Sequence, residues 1–565
     1  MIGEEGLGGS NPRTNKRHRN EHKDTCENRR VWKKVGCVAR YTARSIPCSK
    51  QTANVAVLKA EGERRACCTV MCRDAQDIVI LEVASMAEKP MLGRIFKAYD
   101  IRGTYPDLLT DHMAWQIGYG CSKFLLGEAA DAGETTPMMR NVVVGRDMRL
   151  SSPTLTKELM QGINDHGGDV IDIGMVDTSM VYFAVNYLDC AGGVMVTASH
   201  NPPQYNGMKI SKRKAKPVGE STGLSDIRKH AAMVDKGTIS KLTGRVQQRD
   251  LWPAYSKHVR SFLHTNGAKL KIVIDASNGM AGTMIPKIFG KGSSMGEVPG
   301  LKIVEVNFEN TKGVFAHEPN PLVAANLKQV QEAVIAEKAD MGFCYDGDAD
   351  RCMVIDERGN AVGCDLLTAL MAKHFLNTPE GKGGTVVFDL RSSKVVAEEA
   401  VKAGGKAVRG RVGHVFLKQS MADNQAIFGG ELSGHFYFKN NFNADSGAIA
   451  MCTVLSIAAQ TGKKLSELIA PLARYQQSGE INFQIEDKDG ALAALKSFYS
   501  KHPGAVIDEL DGVTIDCFAK DGWWANIRKS NTEPLLRLNC EAKDKKTLDK
   551  ALAALAPGLG VKVDH

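Results

Sequence analysis

Three stretches of the chain share one hydrophobic pattern. Asn141-Val142-Val143-Val144-Gly145-Arg146-Asp147, Lys271-Ile272-Val273-Ile274-Asp275-Ala276-Ser277 and Thr385-Val386-Val387-Phe388-Asp389-Leu390-Arg391 are each a continuous, largely β-branched run that ends in polar residues. Unbroken apolarity of this length fits a strand covered on both faces, as in an α/β sheet flanked by helices. A helical pattern follows each. Then a second short strand delivers a polar, glycine-bearing loop: Thr197-Ala198-Ser199-His200-Asn201-Pro202 after Gly193–Val196, Asp346-Gly347-Asp348-Ala349-Asp350-Arg351 after Met341–Tyr345, and Gly430-Glu431-Leu432-Ser433-Gly434-His435. The pattern predicts three related α/β units, each lending one loop at the carboxyl ends of its strands, where α/β sheets place ligands.

The last hundred residues read differently. Ile481–Ile485, Gly512–Cys517, Trp523–Ile527 and Leu535–Ala542 are predicted strands. Amphipathic helices are expected over about 490–500 and 545–556, the latter with Leu548, Leu552 and Leu555 at helical spacing. This is a smaller α+β domain. At the other end, Ile95 to Gly103 predicts a short strand breaking into a charged turn. Residues 1–90 have little periodicity and are rich in Arg, Lys, Asn and Ser; they are expected to be a disordered extension outside the functional protein, since Met86 and Met91 lie just ahead of the first structured pattern. The expected divisions are 1–90, 91–245 with the serine loop, 246–362 with the aspartate loop, 363–475 with the Glu431 loop, and 476–565.

At 565 residues the chain has room for several domains of ~100–200 residues, and 43% apolar with 24% charged residues is ordinary for a globular protein. No run approaches the ~18 apolar residues of a membrane span, and no apolar segment follows a basic N-terminus as in a signal peptide. The net charge of +9 sits mostly in residues 1–90, where 17 basic and 11 acidic residues give +6; the other 56 and 53 give +3. The near-neutral body argues against a nucleic-acid partner. Six of fourteen cysteines also precede residue 91, and the other eight are scattered singly among apolar residues, as expected of reduced thiols in the cytoplasm. Cys67-Cys68-x-x-x-Cys72 lacks a second ligand pair at zinc spacing.

The loops carry the candidate chemistry. Ser199, flanked by a hydroxyl, an imidazole and a carboxamide on a loop at a strand's end, is placed to carry a covalent intermediate. Asp346, Asp348 and Asp350 repel one another unless a hard, oxygen-seeking cation such as Mg²⁺ sits among them. An EF-hand is disfavoured, because Arg351 stands where its tight turn needs glycine. A solvated acidic turn is disfavoured by the apolar run that precedes it. Arg528, Ser530, Asn531 and Thr532, with Arg537 downstream, suit a phosphate. Glu431 and Ser433, ahead of His435, suit vicinal sugar hydroxyls. Lys209 and Arg102 are candidates for the positive charge that a transferring phosphoryl group needs.

Together these motifs, in this order, resemble the α-D-phosphohexomutases, and within them the phosphomannomutase/phosphoglucomutase group; the resemblance runs from about Phe96 to the C-terminus. It implies three related α/β domains and a C-terminal α+β domain around a central cleft. It implies that Ser199 is phosphorylated in the resting enzyme, that Mg²⁺ bridges Asp346, Asp348, Asp350 and the phosphoserine, and that a hexose 1,6-bisphosphate is both intermediate and activator. The substrates implied are hexose 1- and 6-phosphates, of mannose or glucose. Arg102, His200 and Lys209 would line the transfer site, with Lys209 helping in proton transfer. Arg351, Glu431, Ser433 and His435 would meet the sugar, and Arg528, Ser530, Asn531, Thr532 and Arg537 the second phosphate. Arg411-Val412-Gly413-His414 matches a further substrate loop, with arginine where related members often have lysine. Asp445-Ser446-Gly447 departs from the family's acidic pair and is assigned no role. Phosphoglucosamine mutase and a metal-dependent phosphoserine phosphatase are the alternatives; monomer and dimer are both compatible with the sequence.

Overall fold

The computed structural model describes residues 92–237, 239, 244–530 and 535–563. The expectation for residues 1–90, and those for Asn531 and Thr532, lie outside the described residues.

Three mixed sheets repeat one topology. In the first, the strands Asn141–Arg146, Asp169–Met175 and Gly192–Val196 run parallel with Asn141–Arg146 in the middle, and Tyr205–Lys212 turns back antiparallel beside Gly192–Val196. The second does the same with Leu270–Asp275, Leu301–Val306, Met341–Tyr345 and the returning Cys352–Asp356. The third uses Thr385–Asp389, Lys406–Gly410, Phe428–Gly430 and the returning Phe436–Phe438. In every case the tight connection from third to fourth strand leaves the carboxyl end of the parallel trio. Those connections contain Ser199, the three aspartates, and Glu431 through His435.

The loop-bearing strand is therefore the third of each unit, where the sequence reading expected the second. Asp169–Met175, Leu301–Val306 and Lys406–Gly410 show no unbroken apolar run because they are only partly buried. Their polar positions interrupt the apolar run that marks the central strands, whereas Val142–Val144, Ile272–Ile274 and Val386–Phe388 are buried throughout. A second correction falls on Ile95–Gly103. Leu92–Ile95 is a helical turn, and the Lys97 N–H donates to the Asp100 carbonyl at 2.8 Å to close a bend. The strand begins only at Ile101, where pairing with Tyr205–Met208 starts.

The C-terminal unit is a six-stranded antiparallel sheet in the order Val506–Asp508, Val513–Asp516, Trp523–Lys529, Leu536–Ala542, Gln476–Gln484, Val561–Val563. Helices Lys488–Tyr499 and Lys545–Leu555 bury Leu492, Leu495, Leu548 and Leu555 in its core. The four expected strands and two expected helices are present. The two three-residue edge strands are too short and too exposed to show a period.

One hydrophobic core runs through all three related units, joining Val143, Ile274 and Phe388; the C-terminal sheet keeps a separate core. Its attachment to the third unit includes polar contacts: Lys394 N donates to Glu541 Oε1 at 3.0 Å and Val412 N to Asp511 Oδ2 at 3.2 Å. Among the described residues no helix is long and apolar enough to cross a membrane.

Candidate active site

Ser199 is buried and adopts φ +51°, a left-handed conformation that costs a non-glycine residue of order 1–3 kcal/mol and persists only where its surroundings enforce it. The loop is pinned from below. Thr197 Oγ1 accepts the Ser199 N–H at 2.9 Å and donates to Asp147 Oδ2 at 2.8 Å. The buried Arg149 guanidinium donates to the carbonyls of Ser199, Asn201, Pro202 and Tyr205. Above, Ser199 Oγ donates to Asp346 Oδ2 at 2.9 Å and lies 3.3 Å from His200 Nδ1. Arg102 bonds the Asn201 carboxamide and pairs with Asp100.

Asp346, Asp348 and Asp350 bring one oxygen each to within 4.8 Å of one another, all buried. Lys209, on the returning strand Tyr205–Lys212, reaches Asp348 Oδ2 at 2.7 Å and Asp350 Oδ2 at 2.6 Å. Thr178 Oγ1 donates to Asp348 Oδ2 at 2.5 Å. The second oxygen of Asp348 is buried with no hydrogen-bond partner among the described residues, and that of Asp350 lies 3.4 Å from His435 Nε2. Burying a carboxylate oxygen without a hydrogen bond is costly, so the trio, Asp348 above all, fits a cation. Electrostatics divides the trio. Burial and the two neighbouring carboxylates push Asp346 well above the usual range, whereas Lys209 and His435 overcome burial at Asp350 and hold it well below. Burial opposes the charge on Lys209, but Asp348 and Asp350 raise it well above its ordinary value. Burial, then Arg351, Arg102 and Lys209, lower His200 far below 6.5 and keep it neutral.

The Glu431 loop joins this centre directly. Arg351 and His435 form a β-bridge, with Arg351 Nε 3.3 Å from His435 Nε2, and the Arg351 N–H donates to Asp346 Oδ1 at 3.2 Å. His435 Nδ1 lies 3.0 Å from Glu431 Oε2, which also accepts from Ser433 Oγ and the Tyr437 hydroxyl. Burial and Arg351 disfavour a charged His435, yet Asp350 and Glu431 raise it to about 9. Glu431 Oε1 accepts the Gly413 N–H at 2.8 Å, which brings the Arg411–His414 loop alongside. There Arg411 lies over Phe416 at 4.1 Å, and His414 is lowered by burial and by Lys418 and Lys209. Asp445 is buried beside them, with Lys418 Nζ at 2.8 Å and His435 Nε2 at 3.9 Å.

The predicted phosphate loop is tied in by residues that the sequence reading did not single out. The Leu432 N–H donates to Asp389 Oδ2, Asp389 holds Arg391, and Arg391 lies 3.6 Å from Glu480. Glu480 also holds Arg528 at 3.1 Å and Arg537 at 3.0 Å. A continuous run of polar contacts thus links Ser199 to Arg528 through Asp346, Arg351, His435, Glu431, the adjoining Leu432, Asp389, Arg391 and Glu480. Ser530 closes its hairpin by donating its N–H to the Leu535 carbonyl. Arg149 and Arg391 both follow the polar ends of the repeated strands, which is the signal that would have found them. Thr178 and Glu480 carry no such mark.

Four family models match in order: phosphoglucomutase/phosphomannomutase α/β/α domain I over residues 93–237, domain II over 253–359, domain III over 364–475 and the C-terminal domain over 480–557. The phosphohexose mutases of Xanthomonas campestris pv. campestris strain B100 are 38% identical over 452 residues, covering 79% of this chain and 95% of that relative. The phosphomannomutase of Escherichia coli K12 is 36% identical over 452 residues, covering 79% and 94%. The crystal structure of a phosphoglucomutase/phosphomannomutase family protein from Burkholderia thailandensis superposes with TM-score 0.72 at 28% identity, covering 83% of this chain and 99% of that one. With its four sheets, its three converging loops and these matches along most of its length, the chain belongs to the phosphoglucomutase/phosphomannomutase family.

Proposed function

We propose that the protein interconverts hexose 1-phosphate and hexose 6-phosphate, of mannose or glucose, by way of a phosphoryl group carried on Ser199. The observation that carries this reading is the placement of Ser199 Oγ against Asp346 in a buried three-aspartate cluster that connects, contact by contact, to a separate arginine-rich hairpin. Phosphoryl transfer asks for in-line positioning and charge neutralisation, and these loops divide the two tasks. The names of the relatives favour mannose, and a small phosphosugar handled in the cytoplasm is the ligand we infer. We take the domain borders near residues 245, 362 and 475.

In the forward half-reaction a sugar hydroxyl attacks the phosphoryl group on Ser199. The P–Oγ bond breaks as the new P–O bond forms, giving the 1,6-bisphosphate. On balance one proton passes from the sugar hydroxyl to Ser199 Oγ, and the neutral His200 ring, 3.3 Å from Oγ, is placed to relay it there. Charged Lys209 and Arg102 offset the negative charge around the transfer. After the bisphosphate turns around, the other phosphate returns to the serine. Asp346, Asp348, Asp350 and the phosphorylated Ser199 would hold Mg²⁺, which when bound neutralises charge on the phosphoryl oxygens. Glu431 and Ser433 grip sugar hydroxyls beside His435, Arg351, Arg411 and His414. Arg528 and Arg537, with Ser530, Asn531 and Thr532, hold the phosphate that is not being transferred.

The test is isomerisation of mannose, glucose and glucosamine 1-phosphates with Mg²⁺ and a hexose 1,6-bisphosphate, alongside intact mass for a phosphate on Ser199. The expected result is isomerisation of mannose or glucose phosphate, lost by at least roughly 10³-fold in Ser199→Ala with the fold retained. Release of free phosphate at the turnover rate would make the protein a phosphatase. Preference for glucosamine would assign a different sugar.

A further inference from the structure

We propose that Arg149 is the positioning residue of the phosphoryl-carrying serine: a buried guanidinium that draws the loop's carbonyls to one side and so imposes the backbone turn that aims Ser199 Oγ at the aspartates. This rests on the reading of Ser199 as the phosphoryl carrier. A guanidinium has five N–H donors, and each of Arg149's has an acceptor. Nε donates to Asp147 Oδ2 at 2.9 Å, Nη1 to the carbonyls of Pro202 at 2.7 Å and Tyr205 at 3.0 Å, and Nη2 to those of Ser199 at 2.8 Å and Asn201 at 2.7 Å.

Four of the five acceptors thus belong to the seven-residue stretch 199–205. Drawing these carbonyls toward the guanidinium holds the negative ends of their dipoles in the base of the loop, on a fixed cation. It also anchors the peptide oxygen of the one residue in the loop held at positive φ, Ser199 at +51°. The guanidinium is itself fixed. Asp147 Oδ2 receives Thr197 Oγ1 as well, Asp147 Oδ1 receives Ser152 Oγ at 2.5 Å, and the Phe315 ring faces the guanidinium at 4.9 Å. Phe315 also lies close against Gly347 of the aspartate loop, within 3.1 Å of where a Cβ there would stand. One side chain therefore sets the serine loop from beneath and is braced against the loop that carries the aspartates. Arg149 is fully buried, with every donor already used, so it acts through Ser199's geometry. Lysine offers three donors on a point charge and cannot span four carbonyls and a carboxylate.

The experiment measures single-turnover phosphorylation of Ser199 by a hexose 1,6-bisphosphate in the full chain, with steady-state kcat and KM for the hexose phosphate. Arg149→Lys is expected to slow Ser199 phosphorylation and kcat by ~100-fold with KM changed less than about threefold, the pattern of a misplaced reacting group. Arg149→Ala is expected to regain rate when guanidinium chloride is added at millimolar concentration, which a generally loosened core would not do. If Arg149→Lys fails to fold, Arg149→Gln, whose amide keeps two of the donors and leaves the Asp147–Thr197–Ser199 contacts in place, decides by the same kcat-against-KM split. A folded Arg149→Lys that phosphorylates Ser199 at the wild-type rate, or a loss confined to KM, overturns the proposal. Failure of the wild-type chain to take phosphate on Ser199 overturns instead the reading on which it rests.

Discussion

Gly347 approaches Ser199 so closely that a Cβ built on it would lie 2.4 Å from the Ser199 carbonyl oxygen. That distance is backbone to backbone, so no side-chain rotation relieves it, and Gly347→Ala must push the aspartate loop and the serine loop apart. Displacement of reacting groups by a fraction of an ångström to 1 Å lowers rate steeply. The expected outcome is a kcat reduced on the order of 10–100-fold, with a weakened Mg²⁺ requirement curve and little change in KM for the sugar phosphate. Steady-state kinetics against Mg²⁺ concentration checks it, and an unchanged kcat would show that the two loops need not touch. The same residues mark what a sequence can disclose at this scale. Ser199 and the three aspartates are legible because each follows an apolar run, where polar residues have no packing reason to be. Glu480 is not, because its partners Arg391, Arg528 and Arg537 lie roughly fifty residues or more away and nothing local distinguishes it from a surface charge.

At the scale of elements, the helix Trp252–Arg260 shows how the related units are held together. His258 donates its Nε2–H to Asn441 Oδ1 at 2.9 Å, stacks on Phe442, and lies 5.1 Å from Phe183. Three units meet at one imidazole. Burial lowers its pKa below 6.5, outweighing the Asn441 bond, and burial is also the first cause of the lowered values at His166, His200, His230, His374 and His414. A base depressed in the fold binds protons more readily when unfolded. Its stabilising contribution is therefore whole above pH 6.5 and drains away as pH falls through 6.5 toward the lower native value. His317 and His435, with the buried carboxyls Asp177, raised to about 7, and Asp346, work in the opposite sense, but they are four against six. The melting temperature should fall between pH 7.5 and 5.5, and fall less in His258→Gln; a melt that is flat or rises on acidification would contradict this. Helices and central strands of these units were legible through their unbroken or periodic apolar runs. The outer strands were not, since half-exposed strands owe their identity to a neighbour's hydrogen bonds more than to their own composition.

At the scale of the molecule, the matched family domains begin at residue 93, and relatives are covered over 94–95% of their length by 79% of this chain. A chain of residues 91–565 should therefore retain wild-type kcat and KM, checked by the same isomerisation assay; a loss of activity would assign residues 1–90 a part in the enzyme. The larger consequence concerns the C-terminal sheet. It has its own core and meets the rest of the site through Glu480, which Arg391, Arg528 and Arg537 share. Those three cations outweigh burial and keep Glu480 below the usual carboxylate range, so the hairpin's guanidinium groups are gathered and partly neutralised in advance of any ligand. A phosphate arriving there gains charge-assisted bonds worth roughly 1.5–3 kcal/mol each, and loses about that much when one is removed. Because the hairpin is remote from Ser199 along the chain of contacts, the proposed reaction has it hold whichever phosphate is not reacting, in both directions of turnover. Arg528→Ala should therefore raise KM by roughly 10–100-fold for the 1-phosphate and for the 6-phosphate alike. Ser199 phosphorylation by the bisphosphate should weaken in apparent affinity by a similar factor. If only one direction suffers, the hairpin reads one end of the sugar and a second phosphate site must exist for the other.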